Sequence, residues 1–63
     1  MIEVYGIRVD INDYDHKTHY IPKNNIDFVS QLEGRYESKI TLKSGIIINS
    51  TTPVKKILEE ISK

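Results

Sequence analysis

The chain contains no cysteine. That excludes disulfides and the commonest zinc sites, both of which need thiolates. Its three glycines, Gly6, Gly34 and Gly45, stand far apart, so there is no glycine-rich loop to cradle a phosphate. Long hydrophobic runs are missing as well. The longest aliphatic run is Ile46-Ile47-Ile48, and Glu3, Arg8 and Asp10 break up the apolar residues near the start, so no membrane-spanning helix is expected. With no cysteine and no signal-peptide pattern, the expected location is cytoplasmic. Net charge is absent: nine Lys and Arg balance nine Asp and Glu. A formal charge of zero argues against non-specific nucleic-acid binding. The balance is uneven, however. Residues 1–38 hold seven acids and four bases, and residues 39–63 hold two acids and five bases. That polarity fits either chance or head-to-tail contact with an acidic partner or a second copy.

Reactive constellations are also scarce. Asp10-Ile11-Asn12-Asp13-Tyr14-Asp15-His16 begins with the acidic spacing of a calcium loop and then departs from it. Asp15 stands where that loop needs glycine, and Ile21 where it needs a bidentate glutamate. Asp13, Asp15, His16 and His19 are the only cluster with transition-metal ligand types, and the strand phase separates the two histidines. No serine sits in a G-x-S-x-G elbow, and neither histidine has a triad pattern. No catalytic, cofactor-binding or metal-ligating residue is therefore assigned, and a non-enzyme is expected.

What is present is a hairpin feeding a helix. Lys39-Ile40-Thr41-Leu42-Lys43 alternates with period two, and Ser44-Gly45 signals a turn. A two-residue loop would pair Ile40 with Asn49. A three-residue loop, Lys43-Ser44-Gly45, pairs Leu42 with Ile46 and Ile40 with Ile48, making one face wholly apolar. It also places Gly45 at a left-handed bulge position, where glycine fits without steric cost. The hairpin Ser38–Asn49 is read with this second register, which turns Ile47 to the opposite face beside Thr41. Thr52 is then the expected N-cap and Pro53 the first residue of a helix over Pro53–Ile61. Val54, Ile57, Leu58 and Ile61 form its apolar stripe.

The earlier part of the chain reads as strands. Ile2 and Val4 share one phase, and Tyr5, Ile7, Val9 and Ile11 the other, so a long first strand over about residues 2–11 bends near Gly6. Asn12–Lys17 reads as a polar loop and Thr18–Ile21 as a short strand ended by Pro22. Residues 26–32 read as a strand in preference to a helix, followed by a turn at Glu33-Gly34-Arg35 and a strand over Tyr36–Lys43. Tyr36 shares the phase of Ile40 and Leu42 and is expected in the core. The sum is one domain over residues 1–63, of α+β class: a small, curled, five-stranded antiparallel sheet with one C-terminal helix packed on one face.

A core of this size gives only about 3–5 kcal/mol of net stability, and oligomerisation is the stabilising device left to a chain without cysteine. The expected function is a non-enzymatic interaction and regulatory module that self-associates, a dimer being the commonest outcome, or binds another protein. The expected interaction surface is Lys39, Thr41, Lys43 and Ile47, joined by Tyr20 and Val29, together with the Asn12–Lys17 loop. A second expectation is nucleic-acid binding through Arg35, Tyr36, Lys39 and Lys43. A third is a phage or mobile-element accessory protein that binds a host factor.

The run His19–Ile61 carries a resemblance. Ile26-Asp27-Phe28-Val29, Gly34-Arg35-Tyr36, Ile40-Thr41-Leu42-Lys43-Ser44-Gly45 and Ser50-Thr51-Thr52-Pro53-Val54-Lys55-Lys56-Ile57-Leu58 follow in an order that resembles the first part of LytTR-type DNA-binding domains. It is also similar to the short FlbD-type flagellar and swarming proteins. The resemblance implies a compact β-rich regulatory module, with DNA binding as the LytTR-like alternative. In the LytTR family much of the DNA contact surface follows this helix, so no DNA-contacting residue carries over. The FlbD-type proteins usually lack an acidic stretch like Asp10–Lys17.

Overall fold

A computed structural model describes the whole chain, Met1–Lys63. Five strands, β1 (Ile2–Arg8), β2 (Asp13–Ile21), β3 (Ile26–Gln31), β4 (Ser38–Leu42) and β5 (Ile47–Ser50), precede one helix, α1 (Val54–Ile61). The strands form a single antiparallel sheet in the order β2-β1-β5-β4-β3. The class and architecture are those expected from the sequence. The topology also forces the sheet to curl. β2 and β3 lie at opposite edges, four steps of about 4.8 Å apart if the sheet were flat, or roughly 19 Å. Yet only Pro22–Asn25 join them, and Lys23–Asn25 form a compact 3-10 turn. So short a link can reach across only if the edges roll towards each other.

The β4–β5 hairpin has the three-residue loop. Ile40 pairs with Ile48 and Thr41 with Ile47, and the Leu42 N–H donates to the Ile46 carbonyl at 2.9 Å. Gly45 takes a φ of +94°, where it pays no Cβ penalty. Gly6 is needed for a different reason. A Cβ there would lie 2.7 Å from the Ser50 Cα and closer still to the Asn49 carbonyl oxygen, where β1 crosses β5. The β1–β2 register shifts between Gly6 and Arg8, at the expected bend.

Ile2, Val4, Ile21, Ile40, Leu42, Ile48 and Ile57 make the core, with Ile26, Val29, Ile46 and Ile61 packed against it. Two serines share this face. Ser38 and Ser50 are fully buried opposite each other, with their hydroxyls 2.6 Å apart. Ser38 also donates to the Thr52 carbonyl at 2.8 Å, and the Thr52 N–H donates to the Ser50 hydroxyl at 3.1 Å. The pair thus satisfies the backbone of the link between β5 and α1, where an apolar residue would leave it unpaired.

Several expectations are corrected. The first strand ends at Arg8, and Val9–Ile11 form a 3-10 turn closed by Asn12 at a φ of +54°. Asn12–Lys17 is not a loop: Asp13–Ile21 is one continuous strand. Its polar sequence reflects an edge strand exposed on both faces, which needs no apolar alternation. The fourth strand begins at Ser38, not Tyr36, because the chain bends at Glu37, whose N–H donates to the Ser50 carbonyl. The helix begins at Val54 with no side-chain cap, since the Thr52 hydroxyl accepts from the Tyr5 N–H instead. Leu58 is 51% exposed: the four-residue stripe is wider than the strip of sheet the short helix covers, and Ile57 alone is fully buried.

Candidate interaction face

The sheet has a second, outer face. Pairing sets its membership, because directly opposed residues point the same way. Tyr5 opposes Thr18, Glu3 opposes Tyr20, Ile7 opposes Asn49, Asn49 opposes Lys39, and Ile47 opposes Thr41. Phe28 opposes Thr41 and Ser30 opposes Lys39. Lys39, Thr41 and Ile47 therefore stand together as expected, with Lys43 at the hairpin end. Tyr20 is on this face but at its far end, roughly 20 Å along the strands from Ile47. Val29 is not on it. The β3–β4 register shifts between Ile26 and Phe28, so Asp27 is absorbed in a bulge; Val29 turns to Ile40 and the core, and Phe28 turns outward, 61% exposed. Phe28, Thr41 and Ile47 make an apolar corner that plain alternation along β3 could not reveal.

Aromatic and aliphatic residues are sorted between the faces. The core cluster is aliphatic throughout, and none of the four tyrosines nor the single phenylalanine belongs to it. Tyr36, expected in the core, lies outside it. Its hydroxyl meets His16 Nε2 at 2.8 Å. Because β1 and β5 lie between β2 and β4, rings joining from the two sides must pass over both. Ile7, on the same outer face, is outside the core cluster and yet only 4% exposed, and opposite it stands Asn49, whose buried Oδ1 has no hydrogen-bond partner. The planes of His16 and Tyr36 are 13° apart with centroids at 5.8 Å, and Tyr5 continues the row at 6.0 Å from His16 and 27°. Both pairs are stacked with their rings offset, and the hydroxyl–imidazole hydrogen bond ties Tyr36 to the row. Arg35 holds its guanidinium 5.7 Å from the Tyr36 centroid.

The acidic and histidine side chains do not converge. Asp13 pairs with Lys17 at 3.1 Å, His16 reaches Tyr36, and His19, on the core side, bonds the Gly6 carbonyl at 3.1 Å. No three His, Asp or Glu side chains gather where they could hold a metal ion. At the turn after β1, Arg8 and Asp10 form an ion pair at 2.6 Å. Their hydrogen bond raises the Arg8 pKa and holds the Asp10 carboxyl below its ordinary value. The Asp13 carboxyl is likewise lowered, first by the Asp15 N–H and then by Lys17. Arg8 and Asp10 bracket the turn after β1, and Asp13 and Lys17 pair along β2.

No protein family, curated protein or solved structure matches this chain. No helix is long and apolar enough to cross a membrane.

Proposed function

We infer that the chain is a non-enzymatic interaction module that works through the outer face of its sheet and associates there with a second copy of itself. One observation carries this reading: the large rings are kept out of the core and turned outward, where Phe28 and Ile47 flank Thr41 in an apolar corner. Aromatic residues are enriched, and most charged residues depleted, at the centres of protein interfaces. Only eight buried apolar side chains, seven in the core and Ile7 outside it, leave a domain of this size short of burial, which association supplies. A cytoplasmic location belongs to the same proposal and rests on the absence of cysteine.

The test is a dilution series followed by amide NMR. Shifts that move with concentration should cluster at Phe28, Thr41 and Ile47, and Ile47→Asp should abolish the movement. Shifts that cluster instead around Leu58, or none up to millimolar protein, overturn the reading.

A further inference from the structure

Separately from association at the Phe28–Ile47 corner, and without resting on it, we propose that a cleft at the end of β5 binds the carboxy terminus of an extended peptide. The cleft has a volume of about 430 Å³, and its lining includes Glu3, Tyr5, Thr18, Thr52, Lys56 and Glu60. It exists because β5 is shorter than the strand it pairs with. β5 ends at Ser50, opposite Gly6, so the first part of β1 has no β5 residue opposite it. The link to α1 closes the gap at Tyr5 alone. There the Thr51 N–H donates to the Tyr5 carbonyl at 2.9 Å, and the Tyr5 N–H donates to the Thr52 hydroxyl at 3.3 Å. The chain then leaves the sheet for the helix. Alternate residues of a strand turn their main-chain groups to the same side. Glu3 therefore aims its N–H and carbonyl the same way as Tyr5, towards the gap that β5 leaves. This is a short open sheet edge, of the kind to which an extended peptide adds by main-chain hydrogen bonds.

The side chains select which part of a peptide enters. Lys56 makes no ion pair, although Glu60 stands one helical turn away; the Glu60 carboxylate pairs with Lys63 at 3.2 Å instead. The Thr52 hydroxyl accepts from Tyr5, which leaves its own proton to donate, and Thr18 adds a second hydroxyl. A free ammonium with hydroxyl donors in the same cleft is a site for one carboxylate. The last residue of a peptide offers that carboxylate next to an extended amide, as Lys56 lies in the same cleft as the open edge at Glu3. Phosphate-bearing ligands fit badly. The cleft holds one lysine, and Glu3 and Glu60 repel a second negative charge. Glu60 lies about 6 Å along the helix from Lys56, close enough to take the α-ammonium of a free dipeptide. A longer chain runs out through the open side of the cleft, and its carboxylate is held in the same way.

The experiment is an amide NMR titration of the full chain with dialanine, N-acetyl-dialanine and N-acetyl-dialanine amide. The expected result with the two acids is saturable shifts centred on Glu3, Tyr5 and Thr52, and slower hydrogen exchange at the Glu3 amide when they are bound. The amide, which lacks the charge, should bind at least about tenfold more weakly. Lys56→Gln should weaken both acids at least about tenfold, and Lys56→Arg much less. Lys56 is exposed, so neither variant threatens the fold. Equal binding of free and acetylated dialanine assigns the site to the tail of a longer chain. Tighter binding of the free form, lost in Glu60→Gln, assigns it to short free peptides; either result supports the site. Ile47→Asp should bind as the wild type does, so that this site and the self-association reading fail separately. No saturable shift at tens of millimolar ligand overturns the proposal. So does equal binding of the amide, or binding left unchanged by Lys56→Gln.

Discussion

The His16 imidazole and the Tyr36 hydroxyl meet at 2.8 Å, joining β2 to the link before β4, and Ile7, on the outer face of β1 between them in the sheet, is only 4% exposed. A residue on the outer face of the sheet is thereby packed as tightly as the core. Ile7→Ala should therefore lower stability by about 2–4 kcal/mol, as truncation of a core isoleucine does. Urea denaturation measures it, and a loss below about 1 kcal/mol would show that the rings do not cover Ile7.

The two structural glycines should fail for different reasons. Gly45 has open space around it, so Gly45→Val is penalised by backbone strain alone, about 1–3 kcal/mol, and Gly45→Asn should be much milder. Gly6→Ala, by contrast, drives a Cβ into the β5 backbone and should cost about 3 kcal/mol or more. Thermal melts of the three variants check the order; equal losses at Gly45→Asn and Gly45→Val would contradict the turn geometry.

Ser38 is the buried donor to the Thr52 carbonyl. Ser38→Ala should lose about 1–3 kcal/mol, the range for a buried group left unsatisfied. Amide exchange should accelerate first in α1, because the Thr52 carbonyl, left with only the longer 3.4 Å bond from the Ser50 hydroxyl, lies in its link to β5. Faster exchange in β2 ahead of α1 would show that the serine pair does not anchor the helix.

Acid should weaken the fold in a defined window. The folded-state pKa values of Asp10 and Asp13 are depressed, so each contributes stability in full above its unfolded value, near pH 4. That contribution is lost as pH falls through the lower folded values. Melting temperatures from pH 6 to 2 should stay level to about pH 4 and then drop, and Asp10→Asn should make the drop shallower. Both carboxylates lie at the surface, where solvent screens their pairs, so the effect is small. A decline already complete at pH 5 would assign it to other groups.

The parts that were legible in the sequence are those where one face is buried and alternation is unbroken. The hairpin register followed from Ile40, Leu42, Ile46 and Ile48 together with Gly45. The bend at Gly6 followed from a change of phase. Three features were hidden because a backbone irregularity reverses the phase or burial is absent. The bulge at Asp27 exchanges the faces of Phe28 and Val29, and the bend at Glu37 takes Tyr36 out of the core phase. β2 gives no alternation because most of its side chains meet water. Tyr36 and His16 are twenty residues apart and carry no shared local signal. Only the strand order brings them together.

The most direct measurement of the central claim is sedimentation velocity of the wild type and Ile47→Asp from ten to several hundred micromolar. The outer-face reading predicts that the wild type rises towards twice the mass of the chain, while Ile47→Asp stays monomeric with an unchanged circular dichroism spectrum. A wild type that remains monomeric throughout, or a dimer that survives Ile47→Asp, would contradict it.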